Sequence, residues 1–110
     1  MDDNERKETW DDFREVVNMQ PGALEEWLDT DQSRDAGQHK DGGESTGHSS
    51  GRRIVEILRA KKADLSDDDY QHMRKVVGYV RRHLAQRPSG DVRDTRWRYS
   101  LMNWGHDPLA

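Results

Sequence analysis

The chain has 110 residues, a length that corresponds to one domain. With 31% hydrophobic and 36% charged residues its core must be thin, although four Trp can each bury a large ring. There is no Cys, which excludes disulfides, thiolate catalysis and Cys-based zinc sites and fits a reducing cytoplasm. No apolar run reaches the length of a membrane span. The start, Met1-Asp2-Asp3-Asn4-Glu5, has neither the basic nor the apolar region of a signal peptide, so a cytoplasmic protein without membrane contact is expected.

The net charge of −4 hides an asymmetry: residues 1–50 carry 5 Lys/Arg against 14 Asp/Glu, and residues 51–110 carry 13 against 8. A basic surface in the second half is expected, with an acidic first half that either neutralises it or faces away.

In chain order, residues 1–8 are expected to form a flexible charged tail, ahead of a single helical domain over 9–110. Thr9 followed by Trp10-Asp11-Asp12 reads as an N-cap with acidic residues in the first turn. Trp10, Phe13, Val16 and Val17 then form an apolar stripe. Pro21 suits the first position of a second helix whose buried face is Leu24, Trp27 and Leu28, ending near Asp29-Thr30. Residues 31–50 lack periodicity and read as one long Gly/Ser-rich loop. A third helix is expected to start after Ser49 or Ser50 and to run to about Lys62, with Ile54, Ile57 and Leu58 inward. Ser66-Asp67-Asp68-Asp69 has the form of a capping box with Asp in place of Glu. Tyr70, Met73, Val76, Val77, Val80 and Leu84 keep helical register behind it, up to Pro88-Ser89-Gly90. A short last helix fits Thr95 to Trp104, with Gly105 as its stop. The expected fold is all-α: a compact bundle of four to five short helices with one long Gly/Ser-rich loop.

Three constellations invite a functional reading. On the helix after Ser66, Arg74, Arg81 and Arg82 share an arc beside the apolar one, with Lys75 at its edge and the small Gly78 and Ala85 between; such a stripe suits a phosphate backbone. The alternative is a solvated face whose Arg residues pair with the acidic first half. In the C-terminal segment, Arg87, Arg93, Arg96 and Arg98 interleave with Trp97, Tyr99 and Trp104. That is the pattern of single-strand recognition, unless Trp97 and Trp104 anchor the core and the Arg residues lie outside. The stretch 42–53, with Gly47, His48, Ser49 and Ser50 leading into Arg52 and Arg53, could cradle an anion at a helix start or serve as a linker. It is not a Walker A loop. His39, His48, His72, His83 and His106 show no ligand spacing, and Ser, His and Asp fall in no triad pattern, so no metal, cofactor or enzymatic activity is expected.

Several stretches resemble a known family. Trp27-Leu28-Asp29-Thr30, Gly43-Glu44-Ser45-Thr46-Gly47-His48, Gly51-Arg52-Arg53-Ile54-Val55-Glu56-Ile57-Leu58, His72 through Val80 and Trp97 through Pro108 are similar to the family catalogued as domain of unknown function 3140. The resemblance covers roughly residues 9–109; Gln20, before Pro21, departs from the Thr expected there. Some members carry a DNA-binding label, so the resemblance implies DNA as partner while supplying no catalytic or binding residues.

The expected function is nucleic-acid binding, DNA first, through phosphate contacts of Arg52, Arg53, Arg74, Lys75, Arg81, Arg82, Arg96 and Arg98. The alternatives are a helical protein-interaction module, as a homo-oligomer or with another protein, and a small-ligand or anion-binding protein using Gly47, His48, Ser49 and Ser50.

Overall fold

The computed structural model of the protein describes residues 1–36 and 46–110. Among the described residues there are six α-helices, one 3-10 turn and no strand. No helix among them is long and apolar enough to cross a membrane.

Helix α1 spans Asp3–Val16. It begins well before Thr9, so residues 3–8 are helical where a charged tail was expected. Asp2 is the N-cap, its carboxylate accepting from the Glu5 amide at 2.8 Å. The Arg6 guanidinium reaches Asp67 at 2.6 Å and lies over the Tyr70 ring, which ties this polar turn to the rest of the molecule. Thr9 sits inside the helix, buried, and accepts from Arg74 Nε at 3.1 Å. Helix α2, Pro21–Leu28, starts on its proline as expected and buries Leu24 and Leu28; Gln20 makes no side-chain capping bond.

Helix α3, Asp31–Ala36, occupies the beginning of the segment read as a loop. It has no apolar stripe to betray it. A buried polar network holds it instead. Ser33 Oγ donates to Asn103 Oδ1, Asn103 Nδ2 donates to the Ser33 carbonyl at 2.9 Å, and Trp27 Nε1 donates to the same Oδ1 at 2.8 Å. Both Ser33 and Asn103 are fully buried. Residues 37–45, the middle of the expected loop, lie outside the described residues.

Helix α4, Thr46–Arg59, takes in the end of that loop and therefore starts earlier than Ser49. Gly51 in it permits a close packing that a side chain would block. A Cβ on Gly51 would lie 2.6 Å from the Asn103 carbonyl oxygen and 2.7 Å from Leu28 Cδ2, so α4 touches α2 and α6 at this point with nothing between. A 3-10 turn at Lys62–Asp64 leads to α5, Asp67–Leu84. The Ser66–Asp69 capping box is formed in both directions, at 3.2 and 3.0 Å. Helix α6, Arg96–Asn103, is capped by Thr95, and Gly105 follows with φ +82°, the left-handed conformation that stops a helix.

Phe13, Leu24, Ile54, Ile57, Met73, Val76, Val80 and Leu101 form the fully buried centre. Helix α1 packs parallel to α5. Glu5 pairs with Arg74 at 3.4 Å and Asp12 with Arg81 at 3.5 Å, so both partners advance along their helices in the same direction. Helices α2, α3, α4 and α6 complete the bundle on the other side of α5.

Candidate nucleic-acid interface

The periodicity of α5 divides its surface into three strips at about 100° per residue. The first faces α1 and holds Arg74 and Arg81. The second faces α4 and α6 and holds His72, Tyr79 and His83. Between them, toward solvent, lie Gln71, Lys75, Gly78 and Arg82, all but Gly78 exposed.

The eight basic residues expected at one surface are therefore not brought together. Arg74 and Arg81 are neutralised by Glu5 and Asp12 of α1. Arg98 is half-buried and fixed by two bonds of 3.1 Å to Asp107 and one of 2.9 Å to the Arg93 carbonyl. That pair raises the guanidinium pKa further and, against the opposing effect of burial, holds the Asp107 carboxyl below the usual carboxylate range. Arg96 donates to the Asp35 carbonyl on α3. Arg52 lines a groove between α2 and α4 with Glu25, Asp29 and Glu56, away from α5. Arg53 pairs with Asp69 at 3.3 Å. Lys75 and Arg82 alone among the eight are exposed on α5 without an ion pair, counting only the described residues. They lie about two turns apart on the same side, with Gly78 between them and the Arg82 guanidinium folded toward it.

The C-terminal aromatics stack on the protein's own rings. Trp97 and Trp104 are 7% and 4% exposed, which removes them as platforms for bases. Their rings join a ladder with the inner strip of α5. Trp104 stacks on Tyr79 at 4.2 Å and on His72 at 6.3 Å; Tyr79 stacks on His83 at 5.3 Å, and His83 on Trp97 at 6.2 Å. Burial lowers the pKa of His83 and raises that of Tyr79.

The four residues expected to cradle an anion divide between two sides of α4. Gly47, His48, Ser49 and Ser50 form the first turns of α4, and they do not share a surface. Gly47 packs against Asn103 and Trp104, and buried His48 donates from Nε2 to the Leu28 carbonyl at 2.5 Å. Ser49 and Ser50 turn the other way, toward α5. With Thr46, Arg53, His72 and Lys75 they line a cleft of about 320 Å³. Ser50 Oγ is hydrogen-bonded to His72 Nε2 at 3.0 Å. Burial, then the nearby charges of Arg53 and Lys75, push the His72 imidazole down to about 4, so it is neutral at pH 7. No spacing rule linked His72 to Ser50; the contact exists only because α4 crosses α5 here. Among the described residues, no group of three or more His, Asp or Glu converges as a metal site would require.

Fold and surface together define a small all-helical protein in which, among the described residues, Lys75 and Arg82 lie exposed without an ion pair beside a hydroxyl-lined cleft. The chain matches the family described as protein of unknown function DUF3140 over residues 12–102, and it belongs to that family. No curated protein and no solved structure matches it.

Proposed function

We propose that the protein binds nucleic acid, DNA first, through phosphate contacts made by the solvent strip of α5. The observation that carries this reading is the state of Lys75 and Arg82: exposed, on one side of one helix, and without an ion pair among the described residues. Gly78 between them adds no side chain, and the Arg82 guanidinium lies toward it. The earlier, wider footprint of eight residues contracts to these two, with Arg53 at the edge. Recognition would be electrostatic and independent of sequence, because no side chain on this strip is arranged to read base edges. So small a set of contacts, on a protein of net charge −4, implies weak binding at physiological salt.

The test is equilibrium binding to labelled duplex and single-stranded DNA between about 50 and about 200 mM salt. Each neutralised phosphate contributes roughly 0.7–0.9 to the log–log salt slope. Lys75→Gln with Arg82→Gln should therefore remove roughly 1.5 from that slope and most of the affinity. Glu5→Gln with Arg74→Gln, which deletes an ion pair without changing the net charge, should leave both nearly unchanged. Absence of binding at low salt, or an equal loss from the two double variants, refutes the proposal.

A further inference from the structure

Three surface cavities lie beside basic residues, and their linings differ in one respect. The cavity at Arg74 includes Glu8 and Asp12. The groove at Arg52 and Arg59 includes Glu25, Asp29 and Glu56. Among the described residues, the cleft between α4 and α5 has no carboxylate in its lining: it presents Arg53, Lys75, the neutral His72 and three hydroxyls.

The donors of this cleft come from two helices. Arg53 is on α4 and Lys75 on α5, so any group between them is held from both sides. Asp69, on α5, is the carboxylate paired with Arg53, and it already accepts from the Ser66 amide and from one Arg53 nitrogen. A guanidinium has five N–H donors, so Arg53 keeps several for a ligand. Lys75 has no ion pair among the described residues, and the Ser49 and Thr46 side chains are exposed at the rim. Asp69 offsets one of the two cations, which leaves a net positive charge facing the imidazole from α4 and α5; α6 contributes the uncharged Trp104 ring. Two cations and three hydroxyls, with no carboxylate among the described lining residues, favour an anion over a metal cation. At about 320 Å³ the cleft takes a phosphoryl group with a few attached atoms and not a duplex.

We propose that this cleft is a binding site for a single phosphate monoester, gripped by Arg53 and Lys75 with the Thr46 and Ser49 hydroxyls as neutral donors. The site stands on its own lining. It rests on the nucleic-acid reading only for whether the phosphate is the end of a strand or belongs to a small molecule. His72 borders the ligand, so a bound dianion restores counter-charge beside it and favours its protonated form.

The full chain, labelled for nuclear magnetic resonance, is titrated with inorganic phosphate and then a nucleoside monophosphate at constant ionic strength. The expected result is saturable shifts of the Ser49, Ser50 and Lys75 amides together with a rise in the His72 titration midpoint. Lys75→Gln removes one charged contact and should weaken phosphate binding about tenfold, with an unchanged melting curve because Lys75 has no ion pair to lose. Arg82→Gln should not change phosphate binding. Shifts that do not saturate, or that Lys75→Gln leaves as they are, overturn the proposal. Single strands with and without a 5′-phosphate then identify the source. Tighter binding of the phosphorylated strand assigns the site to a strand end. Equal binding of both strands, with inorganic phosphate still saturating, assigns it to a small phosphate ester. Saturable phosphate binding without any DNA binding would sink the proposed function and leave this site standing.

Discussion

Replacing Gly51 by Ala tests how tightly α4 is seated, and with it the position of every α4 residue in the cleft. A Cβ at this position would lie 2.6 Å from the Asn103 carbonyl oxygen, and at 2.7 and 3.1 Å from the two Leu28 methyls. The Leu28 side chain can rotate; the Asn103 carbonyl is backbone, so α4 or α6 has to move. Overpacking of this kind costs about 1–3 kcal/mol, and backbone contact places it at the upper end. Alanine recovers about 1 kcal/mol of helix propensity, which leaves a net loss of about 2 kcal/mol. For a domain of this size that corresponds to a fall of about 8–16 °C in Tm by circular dichroism. Gly22 is the control, because a Cβ there meets nothing within 4 Å. Gly22→Ala should stabilise by about 0.4–1 kcal/mol. Equal melting temperatures for the two variants, or a more stable Gly51→Ala, would refute the claim that this glycine exists for a close approach.

Asn103→Ala strips the partner from Ser33 Oγ and Trp27 Nε1 together, and should cost about 3 kcal/mol in urea unfolding, with α3 the first element to lose amide protection. Stability should also begin to fall in mild acid. His72 lies at about 4 when folded against an ordinary 6.5, so the unfolded chain takes up its proton first. The loss begins near pH 6.5 and continues down to about pH 4. Allowing for solvent screening, about 1 kcal/mol should disappear between about pH 7 and 5. His83, also lowered by burial, adds in the same direction. Below that range the lowered carboxyls, Asp69 held by the Ser66 amide and Asp107 held by Arg98, extend the decline. His72→Gln should flatten the upper part of the curve; an unchanged curve would count against a buried neutral imidazole.

What could be read in the chain is local. Pro21, the Ser66–Asp69 box, Thr95 and Gly105 mark helix ends through bonds within a few residues, and each lies where the pattern puts it. The apolar register of α5 gave its buried face for the same reason. The misreadings all involve partners far away in sequence. The first turns of α1 carry no apolar stripe and are held by Asp67, Arg74 and Tyr70. Helix α3 depends on Asn103, and Gly47 and Gly51 look like loop residues until α6 is seen against them. The basic arc was legible only as two open readings. Spacing placed Arg74, Arg81, Lys75 and Arg82 near one another on α5, but only the course of α1 decides which of them are already neutralised. The same separation hid the cleft, whose two walls come from helices joined by residues 60–66.

The ring ladder makes the molecule its own optical gauge. Trp104 stacks on His72, and a charged imidazole quenches indole emission far more than a neutral one does. Light from this residue should dim whenever His72 gains a proton, through acid or through an occupied cleft. Trp10, flanked by Lys62 and Arg14 and with no imidazole stacked on it among the described residues, provides a comparison.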